Sequence, residues 1–144
     1  MAKDADATIL AFDFGTRRIG VAVGNTVTRS AHPLATIDES NRERAFAAIA
    51  ALLDEWRPNR LVVGLPVHAD GTEHTMTLRA REFASELERR FSLDVALVDE
   101  RHTSELASGV LAAAGRGGRG GRGLRDQVAA QIILQAWLDE PHDA

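Results

Sequence analysis

Apolar residues along this chain follow two rhythms. Short unbroken runs at Ile9 to Phe12, Ile19 to Val23, Leu61 to Leu65 and Val95 to Val98 have the length and the β-branched content of strands covered on both faces. A fifth run, Ala31 to Ile37, contains Pro33, which cannot donate to a ladder and suits an edge strand. Elsewhere the period lengthens to that of a helix. Phe46, Ile49, Ala50, Leu53 and Trp56 form one stripe, opened by the Ser40-Asn41-Arg42-Glu43 capping box and stopped by Pro58. Met76, Ala80, Phe83, Leu87 and Phe91 mark a second helix over roughly 74–91. Thr103 can cap a third, with Leu106, Val110 and Leu111 inward and Gly115 at its end. The last helix runs from about Arg125 to Leu138, with Ala129, Ile132, Ile133, Ala136 and Trp137 inward.

The order is β-β-β-α-β-α-β-α-α. Three strands joined by short turns make an antiparallel sheet, and the later strands, separated by helices, extend it in parallel. The expected fold is therefore α/β, a mixed five-stranded sheet flanked by helices. No internal repeat or second domain is visible, so residues 1–144 read as one domain. Residues 1–6 and 139–144 are polar and expected to be disordered. The stretch GRGGRGGRG, Gly115 to Gly123, has no side chains to pack and reads as a mobile loop.

The first hairpin carries the candidate chemistry. Asp13 ends an apolar strand, where a carboxylate is costly unless a donor or a metal offsets its charge. Gly15 turns the chain at Gly15-Thr16-Arg17-Arg18, and the second strand follows at once. Taken alone, Asp13 capping its own turn is the better reading. Two further acidic positions change that. Asp99-Glu100 ends the strand Val95 to Val98, and ligand sites in open α/β sheets lie beyond the carboxyl ends of strands. Asp126 stands near the start of the last helix, on the face of Ala129, Ala130 and Ile133, where two alanines allow close approach to the sheet. Three carboxylates can thus meet at one edge, the donor set of hard divalent cations in phosphodiester hydrolysis. Strand alternation does not choose between Asp99 and Glu100, because a doubly covered strand has no polar face.

Charge refines the picture. With 17 basic and 21 acidic residues the net charge is −4, which by itself argues against a nucleic-acid partner. The distribution argues otherwise: Arg116, Arg119, Arg122 and Arg125 form a basic segment with no acid inside it. The chain has no cysteine, which excludes disulfides and thiolate metal sites and fits a reducing compartment. The polar start MAKDADATIL lacks a signal-peptide pattern, and no apolar run reaches the roughly 20 residues needed to span a bilayer. These readings point to a cytoplasmic protein without a membrane partner.

DFGTRRIGVAVG (13–24), VVGLPVHADGTE (62–73), VDERHTSELA (98–107) and DQVAAQIIL (126–134) together resemble the successive signature motifs of the YqgF/RuvX family, over about Thr8 to Leu138. Its members are described as Holliday junction resolvases or nucleases of pre-16S rRNA. The resemblance implies an RNase H-like fold and a two-metal site for Mg²⁺ or Mn²⁺. It makes Asp13, Glu100 and Asp126 the catalytic metal ligands, with Asp99 a lesser candidate than Glu100. It makes Arg17 or Arg18 a contact to backbone phosphate, and Arg101 either a second such contact or an orienting partner of Glu100. Arg116, Arg119 and Arg122 depart from the compact basic cluster of the family, and glycine-spaced arginines suit sequence-independent phosphate contact. The loop Asp70 to Glu73 reads as a wall of the substrate groove, and His68 and His102 as exposed loop residues.

The function this implies is a metal-dependent endonuclease on structured nucleic acid, most directly processing the 5′ end of pre-16S rRNA in ribosome biogenesis. Ribosomal precursor particles are then a partner, and the chain acts as a monomer or homodimer. Cleavage of branched DNA at a Holliday junction is the rival substrate. A non-catalytic RNA-binding module would be better served without three carboxylates. An actin-like ATPase shares an Asp-x-Gly-Thr turn but needs two lobes, and this chain has length for one.

Overall fold

A computed structural model describes residues 7–15, 17–66, 75–99 and 121–140. Its elements are β1 (Thr8–Phe14), β2 (Arg18–Asn25), β3 (Ser30–Asp38), α1 (Arg42–Trp56), β4 (Arg60–Leu65), α2 (Thr75–Phe91), β5 (Val95–Asp99) and α3 (Gly121–Asp139). The strands form one sheet in the order β3-β2-β1-β4-β5. β1, β2 and β3 pair antiparallel, and β4 and β5 join in parallel. This is the expected mixed five-stranded sheet, with β3 at the edge. Pro33 sits beside a register shift between Val21 and Ala22, where the ladder tolerates a missing donor.

Alternation along the strands divides the apolar residues between two unlike faces. On one, Leu10, Phe12, Phe14, Ile19, Val21, Leu61, Val63 and Leu65 meet Phe46 and Ile49 of α1 and Phe83 and Leu87 of α2. On the other, Ile9, Ala11, Ala22, Ala31 and Val62 meet Ala130, Ile133, Leu134 and Leu138 of α3. The first layer is thick and aromatic. Phe83, 2% exposed, lies 4.8 Å from the Phe14 ring in a stacked pair and 5.9 Å from Phe12 edge-on. Truncating an aromatic at such a position removes its burial and leaves a cavity, costing about 3–5 kcal/mol. Phe83→Ala should lose that amount in urea denaturation; a loss below about 1 kcal/mol would mean that this layer is not the main core.

Local signals set the element ends and faces, with some departures from expectation. Asn41, not Ser40, caps α1, its side chain accepting from the Arg44 amide at 3.0 Å. Ser40 instead donates its amide to Asp38 Oδ1, a turn that moves the cap one residue on and leaves Glu43 out of the box position. Arg57 closes α1 in the left-handed region, at φ 48°, just before Pro58. Ala50 and Trp56, expected in the buried stripe, are exposed, and Ala45 is buried beside Phe46 and Ile49. β5, expected to be covered on both faces, is half-buried, and Leu97 is 41% exposed. α3 starts at Gly121, so the last three residues of the glycine/arginine stretch are helical rather than loop, and Asp139, expected to be disordered, ends it.

α1 and α2 are clasped outside the core. Glu86 accepts from Arg42 Nη2 at 2.5 Å and from Arg90 Nε at 2.8 Å, and the Arg90 guanidinium lies 4.2 Å above the Phe46 ring. The bond from Arg42, and then that from Arg90, hold the Glu86 carboxyl below its ordinary value of 4.5. A lowered folded value contributes stability above pH 4.5 that is lost as pH falls through that folded value. Glu86→Gln should therefore flatten the acid limb of the stability curve below pH 4.5, read by urea denaturation at stepped pH.

Candidate active site

Register and helix packing bring Asp13 and Asp126 together. Asp13 pairs with Gly20 across the β1–β2 ladder, so both positions face the same side of the sheet. That side is the α3 side, because a Cβ at Gly20 would overlap the carbonyl of Asp126 and lie 3.0 Å from its Cα. The α3 side of the hairpin then reads Asp13 opposite Gly20, Ala11 opposite Ala22, and Ile9 opposite Gly24. Small residues along this row let the helix backbone come down onto the strand. Asp126, Ala130, Leu134 and Leu138, four residues apart, run along it, and a Cβ at Gly24 would meet Leu134 and Leu138.

Glutamines lock the helix against the edge strand. Gln127 Nε2 donates to Thr36 Oγ1 at 3.0 Å, Gln131 Nε2 to the Ala31 carbonyl at 3.0 Å, and Gln135 Nε2 to the Arg29 carbonyl at 2.9 Å. The Ala31 amide returns a bond to Gln135 Oε1, and Arg29 Nη2 donates to the Leu138 carbonyl. Thr36 also donates its hydroxyl to the Gly123 carbonyl at 2.8 Å, fixing the first turn of α3.

The turn before β2 supplies the positive charge. The Gly15 amide donates to the Arg18 carbonyl at 3.0 Å, and a Cβ on Gly15 would lie 2.7 Å from that oxygen, so the tight closure requires glycine. The closure aims Arg18 at α3, where its Nε donates to Asp126 Oδ2 at 2.6 Å. Both side chains are partly exposed, Arg18 by 34% and Asp126 by 20%. Arg17 is exposed beside it, its carbonyl accepting from the Glu39 amide.

Of the acidic candidates at the end of β5, Asp99 is described. Val95 packs on the aromatic face, while Ala96 and Val98 pack toward α3. Asp99, two residues along from Leu97 and four from Val95, shares the aromatic side and not the side of Asp13. Glu100, Arg101, Arg116, Arg119, His68, His102, the Asp70 to Glu73 loop and the helix expected after Thr103 lie outside the described residues, as does the side chain of Arg122. Among the described residues no three His, Cys, Asp or Glu side chains form a metal-holding group. Nor is any helix there long and apolar enough to cross a membrane.

In the apolar pattern alone, Gly20 and Gly24 look like ordinary members of a strand. Isolated glycines inside an apolar strand pattern are a signal of close backbone approach, and here they are the reason Asp126 reaches Asp13.

Relatives are numerous. A family model described as RuvX, Holliday junction resolvase, matches residues 7–140. A protein of Dechloromonas aromatica is 54% identical over 135 residues, covering 94% of this chain and 92% of its own length. One of Nitrosomonas europaea is 52% identical over 144 residues, covering 100% and 97%. Both are named as pre-16S rRNA nucleases, a name given provisionally in each case. Among solved structures, Thermus thermophilus RuvC, solved with a Holliday junction substrate, superposes with a TM-score of 0.53 at 16% identity, over 92% of this chain and 96% of that one. The likeness to RuvC is one of fold, the RNase H-like sheet with its flanking helices. By its sequence over nearly its whole length, the chain belongs to the RuvX (YqgF) family of nucleases.

Proposed function

We propose that the chain is a metal-dependent endonuclease that processes the 5′ end of pre-16S rRNA in the bacterial cytoplasm. The observation that carries this reading is the convergence of Asp13 and Asp126, distant in sequence, at Gly20, with a basic turn at its rim. Two carboxylates against one half-buried spot repel unless a cation lies between them, and the Arg18 guanidinium already holds a positive charge there. The donor set fits Mg²⁺ or Mn²⁺, which prefer carboxylate oxygens. Glu100 is the third ligand in this proposal. Asp99 is the poorer candidate, since alternation along β5 puts it on the face of Val95, away from Ala96, Val98 and α3.

Bound metal would supply a more acidic water and charge stabilisation at the phosphorus, worth several kcal/mol. The chain's own residues do the rest. Asp13 and Asp126 hold the ligand oxygens on rigid elements, β1 and α3, so their separation changes little when substrate arrives. Arg17, exposed at the rim, takes a backbone phosphate, as Arg101, Arg116, Arg119 and Arg122 do farther along the strand in this reading. Such contacts carry no base specificity, so recognition comes from the shape of the precursor.

Cleavage of a labelled pre-16S rRNA fragment and of a synthetic four-way DNA junction tests this, each with Mg²⁺, with Mn²⁺ and with EDTA. RNA should be cut at its 5′ flank with metal and left intact with EDTA. Cutting of the junction alone would replace the rRNA role by junction resolution, the activity in the family's description. Cutting of either that persists in EDTA would remove the metal from the mechanism.

A further inference from the structure

We propose that Arg18 is an exchangeable counter-ion, occupying Asp126 until a divalent metal displaces it and then turning its guanidinium to the substrate phosphate. The proposal rests on Asp126 being a metal ligand, as argued above, and adds a positioning residue with a defined motion.

Four observations lead to it. Arg18 reaches Asp126 through Nε and a single carboxylate oxygen, Oδ2, at 2.6 Å. That contact is one-pronged, so the donors at the two Nη atoms are not committed to this carboxylate. Both partners are partly exposed, and ion pairs of that kind add little stability, so the bond is cheap to break. The backbone that carries the carboxylate, by contrast, is held: its helix is pinned by the Gln127, Gln131 and Gln135 bonds and rests on Gly20. Finally, Arg18 begins β2 directly after the Gly15 turn, with its backbone held by the Gly15 amide. Of the two partners, the arginine side chain is the one that can move.

A divalent cation and a guanidinium repel each other at one carboxylate oxygen, so a metal that takes Oδ2 of Asp126 must open the Arg18 bond. Before metal binds, Arg18 offsets the repulsion between Asp13 and Asp126. After metal binds, Arg18 remains tethered at the rim with its planar donor fork free, a match for a phosphate diester. The chain thus carries one positive charge that serves first the site and then the substrate. Metal and nucleic acid should bind with positive coupling, each favouring the arrangement in which Arg18 has left Asp126.

Mn²⁺ binding to the full chain, followed by electron paramagnetic resonance, tests the exchange in wild type, Arg18→Gln, Arg18→Lys and Asp13→Asn. If Arg18 competes with the metal, Arg18→Gln binds Mn²⁺ roughly three- to tenfold tighter than wild type. The same variant binds nucleic acid more weakly once metal is present. Arg18→Lys, which keeps the charge without the fork, falls between. A merely structural Arg18 would leave Mn²⁺ affinity unchanged or weaken it, and either result overturns the proposal. Should Arg18→Gln fail to fold, the wild type still answers. The Arg18 Nε–H resonance should shift on addition of Mg²⁺ and saturate with the metal; a resonance that stays in place through saturation refutes the exchange. Absence of saturable Mn²⁺ binding in wild type, or binding indifferent to Asp13→Asn, would instead remove the metal site itself and the proposal with it.

Discussion

Asp13→Asn will abolish metal-dependent cleavage, whereas Asp99→Asn will leave most of it. The asparagine is the same size as the carboxylate it replaces and keeps one oxygen, so the half-buried end of β1 stays packed. What is lost is a negative charge shared with Asp126 at Gly20. Metal-borne stabilisation of several kcal/mol, at about 1.4 kcal/mol per tenfold, corresponds to at least a roughly hundredfold fall in kcat/KM. Stability in urea should stay within about 1 kcal/mol of wild type, so the loss cannot be blamed on unfolding. Asp99 lies on the aromatic side of β5, away from α3. Its amide variant should keep cleavage within about fivefold of wild type, a change below roughly 1 kcal/mol. If Asp99→Asn proves the more damaging of the two, Asp99 and not Glu100 is the second acid of the site.

Gly20→Ala will cost both stability and activity. The new methyl group would overlap the Asp126 carbonyl, which is main chain and cannot swing aside like a side chain. α3 must therefore retreat by roughly an ångström, and a misplacement of that size at a catalytic group costs about a hundredfold in rate. Overpacking of this kind typically destabilises by about 1–3 kcal/mol. Part of the Gln127, Gln131 and Gln135 seam would stretch with it. Urea denaturation gives the first quantity, and initial rates at a temperature where the variant remains folded give the second. A fully active, fully stable Gly20→Ala would mean that α3 does not rest on β2, and the convergence of Asp13 and Asp126 would go with it.

Much of this architecture is legible in the sequence. Five apolar runs became five strands, and Pro33 went to the edge, because burial and the missing amide act locally. The placement of Asp13 at a strand end and of Asp126 on an alanine-lined helix face is also legible. The side on which Asp99 lies is not legible, since an apolar run shows no polar side; the packing of Val95 on the aromatic cluster, and of Ala96 and Val98 on the cluster of α3, gives the register of β5 up to Asp99. The early start of α3 was hidden by composition. Glycines each cost about 1 kcal/mol in a helix, yet the Thr36 bond to the Gly123 carbonyl and the packing of α3 on the sheet draw Gly121 to Gly123 into its first turn. The Arg18 bond to Asp126 joins residues far apart in the chain, and no local pattern announces such a pair.

The unlike faces of the sheet make this protein's robustness and its precision separable properties. Substitutions in the phenylalanine layer change how firmly the chain is folded while leaving the Asp13–Gly20–Asp126 spacing alone. Substitutions in the glycine and alanine row alter that spacing at once, although few large side chains are buried there. An engineer seeking a heat-resistant enzyme would therefore vary the first layer and freeze the second. Natural drift should be subject to the same division, with wide latitude in which large apolar residue fills the aromatic side and almost none in what may stand on β2 beneath α3.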